Sequence, residues 1–356
     1  MSIIQVNALQ VPELLNDTFD AGLVPMLSSS PGIGKSSLNY QVAELRNLLV
    51  IDLRLSQMDP TELNGFPWPN PKTLRGEYMP MNVFPLVGDE LPDKYDAEGN
   101  VIGKYDGWLI FLDELPHAAL MTQGAAFKLV LDRKVGNRDL HPAVHISAAG
   151  NSIQDKAGAN RLTTAMQSRL IHLDLVSDLN AFTVHAANAG FDHRIASFVN
   201  FETTLLNNFD PSRSDKTFAC ERTWEFMSNF CKVWGDVIPS KKLPLMQGTV
   251  GPGAAREFYA FCQIHESLPT IASINANPET VNIQDHPGTK WAITGMVGNK
   301  MKKENADNLM KFICRLPVEF QIITMQIAIG KDPEIMEANG IKDWIHVNGE
   351  KLSRAA

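Results

Sequence analysis

The chain has 356 residues, 44% of them hydrophobic and 20% charged, with a formal charge of −8. That composition is ordinary for a soluble globular protein, and the length exceeds what one compact core needs, so two or three domains are expected. The acidic balance argues against broad, sequence-independent nucleic-acid binding, which needs basic surface to displace counterions, while leaving room for a local basic channel.

No run of about 18 apolar residues occurs, so no membrane span is expected. The N-terminus, MSIIQVNALQVPELL, lacks the basic stretch, apolar core and small-residue cleavage site of a secretory leader. Cys220, Cys231, Cys262 and Cys314 are widely spaced and show no metal-ligand pattern. They read as buried free thiols, in keeping with a reducing, cytoplasmic location.

Residues 5–20 carry apolar positions at helical spacing. Leu23 to Leu27 is a short apolar run that reads as a buried strand. It enters the turn-rich SSSPGIGKSS, and a helical pattern follows from Ser36 to about Asn47. Leu48 to Leu55 is a second strand candidate, giving strand–loop–helix–strand, the start of a layered βαβ architecture. Residues 59–106 differ. Pro60, Pro67, Pro69 and Pro71 fall close together and glycines recur, which predicts a long, exposed insertion with short hairpins. Trp108 to Leu112 is a third strand, ending at Asp113-Glu114. Residues 118–132 are helical, His145 to Ala149 is a fourth strand ending at Gly150-Asn151, 161–169 a short helix and 170–175 a fifth strand. Beyond about 177 helical patterns dominate, at 179–206, 222–234, 253–265, 289–302, 305–315 and 317–328. Residues 266–288 read as a linker or surface loop. The terminal KLSRAA is expected to fray.

Residues 29–36 read S-S-P-G-I-G-K-S. They match the phosphate-loop pattern G-x-x-x-x-G-K-[ST] except that Ser29 replaces the first glycine, at the end expected to lie away from the phosphates. Gly32 and Gly34 let the backbone turn sharply and aim N–H groups at an anion, which the following helix N-terminus also favours. Pro31, Gly32, Ile33, Gly34, Lys35, Ser36 and Ser37 are the expected nucleotide-binding stretch. Lys35 would reach the β and γ phosphates of ATP, and Ser36 would ligate Mg²⁺. Asp113, ending an apolar strand, is the second expected Mg²⁺ ligand, and Glu114 the group that polarises the attacking water. Asn151, at the end of the next strand, can position the same water. The histidines form no HExxH or other metal pattern; His117 reads as a helix-start residue. No guanine-reading Asn/Thr-Lys-x-Asp motif occurs.

With SSPGIGKS, LIFLDE, AAGNS and AMQSRL in this order, the chain resembles the AAA+ ATPases, and more narrowly their MoxR-like branch with its dynein-related and chelatase-like cousins. SQMDPTELNGFPWPN is similar to that branch's insertion-bearing segment, and RTWEF at 222–226 and RLPVEFQ at 315–321 are similar to its lid and tail. The resemblance implies an α/β P-loop core with a parallel sheet over residues 1–176, a helical lid over 177–265 and a helical C-terminal extension over 266–356. It further implies that Arg169 is an arginine finger acting on a neighbouring subunit, with Arg161 of the same segment as a second candidate, and that Arg222 is the lid arginine that senses nucleotide. The resemblance also implies a closed ring, most often of six subunits, in keeping with a finger in trans. It implies, too, a protein to remodel, in that branch commonly one carrying a von Willebrand factor A-type domain. Two rivals stand beside this reading. One is a nucleic-acid motor or loader, which the acidic charge disfavours; the other is a non-hydrolysing ATP-bound scaffold, which the intact Asp113-Glu114 pair disfavours.

Overall fold

In a computed structural model, residues 4–152, 162–266 and 268–355 are described. The chain divides into two compact units, residues 1–176 and 177–356.

The first unit is an α/β sandwich. Its elements run β1 (Gln5–Val6), α1 (Val11–Asp20), β2 (Val24–Ser29), α2 (Lys35–Leu45), β3 (Leu48–Arg54), α3 (Pro60–Asn64), β4 (Phe66–Asn70), β5 (Arg75–Met79), β6 (Asp93–Tyr95), β7 (Val101–Lys104), β8 (Gly107–Asp113), α4 (Leu120–Asp132), β9 (Lys134–Val135), β10 (Arg138–Asp139), β11 (Val144–Asn151), α5 (Thr164–Gln167) and β12 (Leu170–Leu175). Six strands form one sheet in the order β1-β12-β2-β11-β8-β3. Every neighbouring pair is parallel. A parallel sheet needs both faces covered, and β8 shows it: all of Trp108 to Leu112 is buried. Successive side chains alternate between faces. Ile110 and Leu112 join Met26, Ile146 and Leu129 of α4 in one core. Leu109 and Phe111 join Leu27, Val11 and Leu15 of α1 and Val42 of α2 in the other. β3, at the edge, is only partly buried and carries Asp52 and Arg54.

Residues 59–106 are not loop alone. Asp59 and Glu62 form a reciprocal capping box that starts α3, which buries Leu63. Two antiparallel hairpins follow, β4–β5 and β6–β7.

The second unit is helical: α6 (Leu179–Asn188), α7 (His193–Phe201), α8 (Glu221–Trp234), α9 (Leu243–Val250), α10 (Pro252–Glu266), α11 (Ile271–Ala276), α12 (Pro287–Lys300), α13 (Ala306–Ile313), α14 (Val318–Lys331) and α15 (Asn339–Ala355). The helical stretch expected over 179–206 is broken where Ala189-Gly190-Phe191 turns the chain, with Gly190 in the left-handed region and Asp192 capping α7. The linker expected over 266–288 contains α11, and KLSRAA, expected to fray, continues α15 to Ala355. Two apolar cores form here. One centres on Phe198, Trp224 and Phe258, the other on Val297, Phe312 and Met325. Gly295 and Gly298 let α12 approach its neighbours, because a Cβ there would lie 1.7 Å from Ser197 Oγ and 2.9 Å from Thr324 O. Cys220, Cys231 and Cys262 are buried thiols. Cys314 is exposed, against expectation, because it falls just past the last turn of α13. No helix among the described residues is long and apolar enough to cross a membrane.

Candidate functional site

The ends of the parallel strands hold the candidate site. β2, β11 and β8 are adjacent, and their C-terminal residues are Ser29, Asn151 and Asp113. Ligands of open parallel sheets bind beyond these carboxyl ends.

β2 runs straight into the loop. Gly32 and Gly34 take φ of 85° and 101°, which side-chain-bearing residues rarely adopt, and Gly34 caps α2. The first turn of α2 carries no acidic residue, so its positive end is not offset from within. Lys35 and Ser36 open the helix. The Lys35 ammonium donates to Asn151 Oδ1 (2.9 Å), Ser29 Oγ (2.9 Å), Ser29 O (3.1 Å) and Ser30 O (3.3 Å). Ser29, expected to lie away from the phosphate-contacting end, therefore sits against Lys35, because the loop folds back over the strand end that bears it. Ile33 packs on the α1–α2 core rather than facing outward, Gly32 is buried, Pro31 is half-buried and Ser37 is exposed.

The Ser36 hydroxyl donates to Asp113 Oδ2 at 3.2 Å, so helix and strand aim two oxygens at one place. Burial raises the Asp113 pKa, and the Asp52 and Glu114 carboxylates raise it further, against the bonds from the Glu114 N–H and Ser36. Glu114 has φ of 58° and donates its N–H to Asp113 Oδ1 at 2.9 Å. That turn separates the two carboxylates, which a continued strand would also put on opposite faces.

Several partners were not legible in the motifs. The Ser56 hydroxyl, just past β3, donates to Glu114 Oε2. Pro116 packs on Gly150, where a Cβ would lie 2.2 Å from the proline ring, so the turn after Glu114 rests directly on β11. Asn39 Nδ2 donates to Lys35 O (2.9 Å) while Ser147 Oγ donates to Asn39 Oδ1 (2.5 Å), tying the start of α2 to β11 inside the core. An asparagine in mid-helix, four residues after the lysine, was the available signal, since such residues favour caps. Tyr40, also on α2, donates its hydroxyl to Asp52 at 2.8 Å, and burial together with that bond pushes its pKa up to about 12.

Arg169 lies elsewhere in the first unit. Arg169 stands at the opposite end of the sheet, because Leu170 pairs with Val24 at the start of β2 whereas the loop leaves β2 at Ser29. Five strand residues, roughly 16 Å, separate those levels. Its guanidinium lies 4.3 Å from the Phe127 ring centroid and donates to Ala165 O at 2.5 Å. Arg222 is exposed in the first turn of α8, in the second unit. Arg161 falls outside the described residues.

No protein-family model and no curated protein matches the chain. Three solved structures are similar in outline. A candidate ATPase from Cytophaga hutchinsonii is 14% identical over 98% of this chain and 89% of its own, with a TM-score of 0.34. A DNA polymerase III gamma-subunit-related protein from Thermotoga maritima is 10% identical over 99% and 100%, with a TM-score of 0.36. NtrX from Brucella abortus, in complex with ATP, is 11% identical over 99% and 70%, with a TM-score of 0.34. What the chain has of its own is a parallel-sheet αβα core, a phosphate-loop sequence at the carboxyl end of β2 and a helical region after it.

Proposed function

We propose that the protein is a Mg²⁺-dependent ATPase of the AAA+ kind, of the MoxR-like branch, working as a closed ring of six copies that remodels a protein partner. A von Willebrand factor A-type protein is the partner that branch suggests. The observation that carries the reading is the convergence of Lys35, Ser36, Asp113 and Asn151 at the ends of three adjacent parallel strands.

In this reading the loop N–H groups from Gly32 to Ser37, with Pro31 shaping the turn before them, and the Lys35 ammonium bind the β and γ phosphates. The chemistry of Ser36 and Asp113 fits a small, hard cation: two oxygens 3.2 Å apart, one belonging to a carboxylate whose burial leaves it short of positive charge. A bound Mg²⁺ would neutralise phosphate oxygens there. Glu114, steadied by Ser56, takes the proton of the attacking water, and the Asn151 amide orients that water. Arg169 is too far along the sheet for its own chain's loop, so its work is on a neighbour's γ phosphate. Arg161 is a second candidate for that role, and Arg222 reads nucleotide from the helical region, taken as a lid over 177–265 with an extension over 266–356.

The test is turnover across protein concentration. Specific activity should rise as rings form, and Arg169→Ala should bind ATP yet hydrolyse roughly 10³-fold more slowly. Mixing Arg169→Ala with Glu114→Gln should restore turnover, because one variant keeps an intact site and the other an intact finger. A flat concentration profile with Arg169→Ala fully active would remove both ring and finger from the reading.

A further inference from the structure

The face of β11 that lies under α2 carries a polar pair inside an apolar layer. Side chains alternate along a strand, so Ser147, Ala149 and Asn151 share one face. Ala149 packs there with Leu38 and Val42 of α2 and with Leu27, Leu109 and Phe111 of the neighbouring strands. Asn39 of α2 and Ser147 are both 0% exposed. The Ser147 hydroxyl donates to Asn39 Oδ1 at 2.5 Å, and Asn39 Nδ2 donates to Lys35 O at 2.9 Å. Asn151, roughly 13 Å further along the strand, accepts from the Lys35 ammonium at 2.9 Å. β11 therefore holds Lys35 at both ends, its carbonyl through Asn39 and its ammonium through Asn151.

Stability alone gives little reason for this pair. Replacing both partners of a buried hydrogen bond with apolar groups of matching shape is close to neutral, whereas removing one partner leaves the other unsatisfied and costs more. What the pair adds is direction. Apolar contacts are non-directional, so a helix held by them alone can turn or slide on its sheet at small cost. A hydrogen bond forms only over a narrow range of distance and angle. The relay from Ser147 through Asn39 to Lys35 thus fixes the rotation of the first turn of α2, and with it the placement of Lys35 against Asn151. Ser36, next in the same turn, is fixed with it, and its hydroxyl meets Asp113 of β8 at 3.2 Å.

We propose that Asn39 and Ser147 are positioning residues of the nucleotide site. Buried as they are, they touch no nucleotide themselves. They act through Lys35 and Ser36, holding the ammonium and the hydroxyl where phosphates and cation meet them. The inference rests on the proposed ATPase reading for the reaction it serves, and on geometry alone for the placement of Lys35.

The experiment pairs turnover with a probe of Lys35 that needs no nucleotide. Asn39→Leu with Ser147→Ala exchanges the pair for apolar groups of similar size, and the melting temperature should stay within a few degrees of the wild type. In that variant kcat should fall about tenfold or more with the ATP KM changed less than about threefold, because a shift of about 1 Å at a reacting group costs up to 10²-fold. Acetic anhydride should label Lys35 about fivefold faster in the variant, the worth of one lost hydrogen bond, since the ammonium no longer rests on Asn151. Mass spectrometry reads this against exposed Lys72 of the same chain. Ser147→Ala alone keeps the bond from Asn39 to Lys35 and loses the one from the strand. It should move kcat and labelling in the same direction, and it decides the matter should the double variant fold poorly. Wild-type kcat and wild-type labelling in these variants would overturn the proposal, and a lowered melting temperature with both unchanged would make the pair purely structural. Faster labelling in a protein whose wild type shows no turnover upholds the positioning and sinks the ATPase reading alone. Turnover that survives the exchange with labelling unchanged sinks the positioning alone.

Discussion

Two buried or half-buried polar groups can be set side by side, one in each unit. In the helical unit, Asp192 and Arg194 are locked together: Nε and Nη2 of Arg194 donate to the carboxylate at 2.9 Å, and Nη1 and Nη2 donate to the carbonyls of Asp236 (2.9 Å) and Cys231 (3.2 Å). Burial works against the Asp192 carboxylate, yet the Arg194 bonds and charge hold its pKa below the usual range. In the α/β unit, Asp113 is also half-buried, but its partners are a hydroxyl and an amide N–H, its neighbours Asp52 and Glu114 repel it, and its pKa is raised. The first arrangement commits four guanidinium hydrogen bonds to holding the helical unit together. The second keeps unmet demand for positive charge at a strand end facing the loop. A buried charge saturated from within the chain serves the fold, whereas a half-buried carboxylate with no cationic partner leaves room for a ligand that brings one.

That contrast can be broken at either end. Arg194→Ala leaves the Asp192 carboxylate buried without its partner and should cost about 3–5 kcal/mol. Thermal unfolding of the helical unit should then begin roughly 10 °C lower. Lys35→Ala, by contrast, should leave the melting temperature within a few degrees while ATP turnover falls by roughly 10²–10³-fold. If Lys35→Ala unfolds the protein, or Arg194→Ala does not destabilise it, the two roles have been exchanged.

His193 sharpens the comparison through pH. Burial pushes its pKa down to about 4, with Arg194 and Lys300 acting in the same direction and Asp192 and Asp236 opposing. The folded protein holds this ring neutral, while the unfolded chain protonates it near its ordinary 6.5. Stability from this group is complete above pH 6.5 and is lost as the pH falls towards 4, a total of roughly 3 kcal/mol. Chemical denaturation at pH 7 and pH 4.5 should reveal the loss, and His193→Gln should flatten it. The smallest effect belongs to Ser56→Ala. It frees the Glu114 carboxylate from its hydroxyl partner, so kcat should change by about tenfold with the ATP KM almost unmoved, about the value of one charge-assisted hydrogen bond. A change confined to KM would place Ser56 in binding instead.

The strand positions of the first unit and the phosphate loop could be anticipated because they are local: the apolar run Trp108 to Leu112, the Gly32 and Gly34 turn before Lys35, the carboxylates closing that run. Ser56 could not, since nothing near it in the chain shows that β3 neighbours β8. The break between α6 and α7 was missed because apolar spacing continues across Gly190. α11 was missed because Pro and Asn outweighed a short apolar turn.

By itself the sequence determined which chemical groups are present, namely a glycine-rich turn before a lysine, a hydroxyl at a helix start and an acidic pair, because spacing along one strand or helix is set by covalent geometry. Only the tertiary structure decided which of these groups meet. Lys35 reaches Asn151 across 116 residues, Ser36 reaches Asp113 across 77, and Arg169 is carried to the far end of the same sheet. Those distances depend on the order and direction of the strands, and that order is settled by which faces must be buried together rather than by any residue's neighbours in the chain.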